Sequence, residues 1–156
     1  MPASALLASL FLLQASAAQG IEHFFVGRTV SSGSANILMS GTRTVRDQGR
    51  GRIERGNVLV LEQTVEEEGK PPRARTWRLS RTADNRITGT ITGARGPVTG
   101  TVSGNLIHLT YQSEDGPAVQ QWIAIDPSRR VARNHMIFSR MGVAVATVDT
   151  VIRRLD

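Results

Sequence analysis

Apolar and polar side chains alternate with a period close to two along most of the chain, in short stretches divided by turn-forming clusters. Such a period sends successive side chains to opposite faces of an extended strand. The pattern predicts strands at about 24–30, 35–46, 57–66, 73–81, 105–113, 118–126, 130–138 and 142–153. Between them, EEEGKPPR, TADN, SEDGP and DPSR carry the Gly, Pro, Asn and Asp that turns demand. Beyond the N-terminal segment no window sustains a helical apolar period, which limits helix to a turn near Ser139–Gly142.

The stretch TGTITGARGPVTGTVSGN, residues 88–105, holds five glycines. A phosphate-cradling loop needs a lysine and a hydroxyl residue after its last glycine, and a dinucleotide fingerprint needs a following amphipathic helix; neither is present. A hairpin turning at Ala94-Arg95-Gly96-Pro97 instead pairs Gly93 with Val98, Ile91 with Gly100 and Gly89 with Val102, and leaves an opposite face made of Thr and Ser. Glycine in mid-strand against a large residue marks a tight bend, as at the corner of a small barrel.

These elements predict an all-β fold: an antiparallel meander of about eight to ten strands closing into a lipocalin-like barrel, with a β-sandwich as the alternative. Residues 1–18, MPASALLASLFLLQASAA, carry no charge, an apolar run from Leu6 to Leu13 and small residues before a cleavage point, the profile of a signal peptide. Residues 19–156 then form a single domain, exported to the periplasm or cell envelope of a bacterium. The chain has no cysteine, which excludes disulfides and a cysteine-linked lipid anchor.

The net charge of +6 comes from arginine, since Lys70 is the sole lysine. Arginines crowd residues 43–55, and Arg50, Arg52 and Arg55 could meet an anionic membrane surface. An exported chain with few aromatic residues is not expected to bind nucleic acid.

Candidate chemistry lies on the strand faces. A turn centred between Gly69 and Lys70 sets Glu62 opposite Trp77 and next to Arg75, which predicts an ion pair and makes Glu62 the one weak candidate for a catalytic acid or base. Asn105, Ile107, Leu109 and Tyr111 share a face; Trp122 goes with Ala124 and Asp126, and Asn134 with Met136 and Phe138. Buried, Asn134 requires a hydrogen-bond partner, with backbone the first expectation. His23, His108 and His135 have no metal-ligand spacing, so no metal and no cofactor is expected.

RTWRL at 75–79, GN at 104–105, QWIAID at 121–126, RNHMIF at 133–138 and MGVAVATV at 141–148 follow one another in an order that resembles the bacterial family called domain of unknown function 3833. The resemblance implies a lipocalin-like envelope protein with no established reaction. It places the family's Arg-x-Trp at Arg75 and Trp77, its Gly-Asn at Gly104 and Asn105, its later Trp and Asn at Trp122 and Asn134, and its acidic strand position at Glu62. Gln121 stands where an acidic residue is common.

Function is then expected to be binding of an apolar or amphiphilic, lipid-like molecule by Arg75, Trp77, Asn105, Tyr111, Trp122 and Asn134. The alternatives are an envelope structural or interaction protein with a filled core and an Arg-rich docking surface, and an enzyme using Glu62 on a lipid-like substrate.

Overall fold

The computed structural model of the chain describes residues 20–156, so the expected signal peptide lies outside the described residues. A 3-10 turn, Ile21–Phe25, leads into ten strands: β1 (Gly27–Ile37), β2 (Gly41–Glu54), β3 (Val58–Glu67), β4 (Arg73–Arg81), β5 (Arg86–Ile91), β6 (Ala94–Ser103), β7 (Leu106–Ser113), β8 (Ala118–Ile125), β9 (Val131–Arg140) and β10 (Val143–Arg154). Each strand pairs antiparallel with its neighbours in sequence, and β10 closes on β1. The result is a closed ten-strand meander with no free sheet edge.

The expected hairpin at 88–105 forms, but in another register. Ile87 pairs with Gly100 and Gly89 with Val98, and the turn falls at Thr92-Gly93, where Gly93 has φ 84°. The shift is even, so both faces survive: Thr88, Thr90, Thr99 and Thr101 are exposed, while Ile87, Ile91, Val98 and Val102 are buried. The bend is tight enough that a Cβ on Gly100 would sit 2.1 Å from the His108 carbonyl oxygen.

The first two strands divide differently from the expectation. Ser31-Ser32-Gly33-Ser34, turn-like in composition, lies in the middle of β1, and the chain reverses after Ile37, with Ser40 N–H donating to the Ile37 carbonyl at 3.0 Å. Ser31 is buried and donates to Asp47, and a Cβ on Gly33 would meet the Asp149 carbonyl at 1.9 Å. Small and polar residues are there because strands approach closely around a polar patch of interior. The chain also turns at Met141-Gly142 between β9 and β10 without forming a helical turn.

Strand-end turns alternate between the two ends of the barrel. At one end the N-terminal turn packs Phe24 and Phe25 over Leu59, Ile107, Ile125 and Ile152, and the Phe25 carbonyl comes so near Gly51 that a Cβ there would lie 1.8 Å from it. At the other end Ala35, Val65, Val119 and Met136 fill the interior. Leu38, Met39, Met141 and Val143, on adjacent hairpin tips beyond them, are exposed.

Candidate functional site

Between these two ends the barrel holds a cavity that is partly open to solvent. Leu59, Leu61, Trp77, Ile87, Leu109 and Ile123 supply much of its wall. The exposed residues along its lining, Asn57 in the β2–β3 turn and Arg81 at the last position of β4, both lie at the end that carries Phe24 and Phe25, so the mouth opens there. Glu22 and Arg81 form an ion pair at 3.2 Å beside it.

The inner part of the cavity is polar, and a one-residue difference from the expected register decides its composition. The β3–β4 turn is centred on Gly69, with φ 82°, so Leu61 pairs with Trp77 and Gln63 with Arg75. Gln63 therefore faces inward and Glu62 outward. The expected Glu62–Arg75 pair does not form. Glu62 is exposed and meets Arg52 at 3.4 Å, away from the cavity, which removes the geometry that made it a catalytic candidate.

Gln63 organises this region. Its Oε1 accepts from Arg75 Nε at 3.0 Å and from Trp77 Nε1 at 2.7 Å, while its Nε2 donates to Asp47 at 3.3 Å. The Arg75 guanidinium lies 5.3 Å from the Trp77 ring centroid, and Tyr111 stands edge-on to Trp77 at 5.8 Å. Burial holds the Arg75 pKa below its ordinary value, only partly offset by Tyr111 and Asp47. Burial also raises that of Tyr111, whose hydroxyl keeps its proton at neutral pH. Among the described residues nothing accepts from Arg75 Nη1 or Nη2, and both Arg75 and Asp47 line the cavity.

A second polar group completes the wall. Gln121 Nε2 donates to Asn134 Oδ1 at 2.7 Å, and Asn134 Nδ2 donates to Thr150 Oγ1 at 3.1 Å. Asn134 is thus buried as expected, but its partners are side chains and not backbone. Gln121 Oε1 is buried without a partner. Turning both amides over would satisfy it and leave Gln121 Nε2 unpaired, so one buried polar atom of this group is unmatched in either orientation.

Two expected ligand contacts lie elsewhere. Trp122 projects from the outer wall, stacked against His108 at 4.9 Å and His135 at 5.8 Å, with His135 bonded to Asp149 at 2.7 Å. The β8 residues that face inward are Val119, Gln121, Ile123 and Ile125. Asn105 sits in the β6–β7 turn and donates to the Ile125 carbonyl at 2.8 Å, tying two strands together. Of the six expected contacts, Arg75, Trp77 and Asn134 line the cavity and Tyr111 packs behind Trp77. Gln63, Asp47 and Gln121 complete the constellation.

A family profile described as "Protein of unknown function (DUF3833)" matches residues 13–154. No curated protein matches the sequence. Among solved structures, the S-type phycobiliprotein lyase CPES from Guillardia theta superposes with a TM-score of 0.68 at 11% identity, covering 92% of this chain and 96% of that one. EF1p2_mFAP2b bound to DFHBI aligns with a TM-score of 0.47 at 12% identity, over 86% of this chain and 99% of the other. The lyase shares the fold.

Proposed function

The chain belongs to the DUF3833 family, and we propose that this member binds one amphiphilic, lipid-like molecule inside its barrel. Arg75 carries the proposal: a guanidinium fixed by Gln63 at the polar inner part of a cavity whose remaining wall is mainly apolar, with its Nη donors unmatched by protein among the described residues. A carboxylate fits that fork with two parallel hydrogen bonds and offsets the desolvation of the cation. Leu59, Leu61, Leu109 and Ile123 line a path for an apolar tail. Small-molecule sites commonly combine such an apolar wall with a few converging polar groups.

The site we propose would work outside the cytoplasm, a reading that rests on the apolar run Leu6–Leu13 and the small residues Ala15–Ala18. Binding, and not turnover, is its task in this reading. Calorimetric titration with a long-chain carboxylate and with its methyl ester tests it. The carboxylate should bind at least about tenfold more tightly, the factor expected when an ester replaces one partner of a charge-assisted hydrogen bond. Equal affinity for the two, or no binding of either, would contradict the proposal.

A further inference from the structure

The charge of the barrel is concentrated at its mouth. Segments 20–30, 50–62, 78–90, 100–108, 123–133 and 152–156, which make up that end, carry twelve arginines against six carboxylates. The rest of the chain carries seven cations and seven carboxylates, so the entire +6 belongs to the mouth end. Several of these arginines are not neutralised locally. Arg28, Arg52, Arg78, Arg81 and Arg86 form ion pairs, whereas among the described residues Arg50, Arg55, Arg129, Arg133 and Arg153 form none. Residues 1–19 contain no carboxylate side chain that could supply one. All five unpaired arginines are exposed, and Leu155, also exposed, adds an apolar side chain at the same end.

We infer that the barrel docks on anionic lipid bilayers through this basic mouth end, with the cavity opening toward the membrane. Arginines spread around one rim form a convex positive collar, which attracts a negatively charged surface from within a Debye length. A bilayer is favoured over nucleic acid because the collar surrounds the opening of a largely apolar cavity and, among the described residues, presents no exposed aromatic residue for base stacking. The opening then faces a phase from which an apolar ligand enters, or into which it leaves, without crossing bulk water. The orientation relies on the cavity being the ligand site, whereas docking itself does not.

The test is flotation of the full chain with vesicles of phosphatidylcholine alone and of phosphatidylcholine with phosphatidylglycerol. All variants share residues 1–19, so differences between them report on the barrel. The wild type should float with anionic vesicles and be released by salt. Joint Arg55→Glu, Arg129→Glu and Arg153→Glu should lower the partition coefficient about tenfold or more, while Arg46→Glu, Arg73→Glu and Arg95→Glu at the far end should leave it nearly unchanged. Glutamine at the three mouth positions should give an intermediate loss, and circular dichroism checks that each variant keeps the barrel. Arg75→Met should still dock, which separates failure of docking from failure of ligand binding. Equal binding to neutral and anionic vesicles, equal loss from the two sets of reversals, loss on Met39→Ser and Met141→Ser instead, or tighter binding to a single-stranded oligonucleotide than to vesicles would each overturn the inference.

Discussion

Arg75→Met should weaken the binding of a long-chain carboxylate by at least about tenfold, the low end of what a charge-assisted hydrogen bond contributes, while leaving the barrel as stable as before or more so. The two halves of this result have one cause. Among the described residues Arg75 makes one side-chain hydrogen bond, to Gln63, and at neutral pH it bears a desolvation cost that Asp47 offsets only in part. Arg75 is half-buried, and replacing a desolvated, poorly compensated cation by an apolar side chain of similar length is often neutral or stabilising. A residue kept for stability alone would show the reverse pattern, with a fall in denaturation midpoint and no change in affinity. Binding of the methyl ester should change little in Arg75→Met. Calorimetry with both ligands and a urea titration of both proteins check the set.

Gly100→Ala should destabilise the fold by about 1–3 kcal/mol, the usual cost of forcing volume into a filled site, and Gly100→Val by more. The added Cβ would meet the His108 carbonyl oxygen at 2.1 Å and Leu109 Cδ2 at 2.9 Å. The first of these is backbone, which cannot rotate out of the way, so β6 and β7 must separate. Gly89 is the matching position one strand earlier, where the Arg78 carbonyl lies 1.9 Å from the would-be Cβ. The midpoint of urea unfolding, at unchanged slope, measures the effect. An unchanged midpoint in Gly100→Ala would mean that the bend between β5, β6 and β7 tolerates a side chain.

Most of the strands were legible in the sequence because alternation is a local property; register was not, because turns fix it. In β5–β6 the expected pairing was displaced by an even number of residues, so Gly100 still faced inward and the threonines outward. In β3–β4 the displacement was odd, and it exchanged Glu62 for Gln63 at the centre of the site. Placing Gly69, with its positive φ, at the middle of that turn would have brought Gln63 opposite Arg75. The signal was present in one glycine.

Other residues needed the three-dimensional arrangement. QWIAID offers an apolar residue on each face, and only burial shows that Ile123 and Ile125 point inward while Trp122 stacks outside between two histidines. Gln121 reads as a solvated polar residue until the neighbouring strands bring Asn134 and Thr150 beside it. The division of charge between the two ends was equally hidden. Arginines far apart in sequence gather at one rim only because successive turns of a meander alternate between ends. The crowding of Arg50, Arg52 and Arg55 was visible; its continuation in Arg129, Arg133 and Arg153 was not.

The most direct measurement is native mass spectrometry of the folded protein recovered gently from the cells that make it, followed by organic extraction of whatever travels with it. We expect a fraction of the protein to carry a single bound amphiphile with a carboxylate or comparable anionic head, absent from Arg75→Met prepared in the same way. Protein that is free of any such molecule, and that takes up none from a panel of long-chain acids, would contradict the claim that this cavity is a binding site.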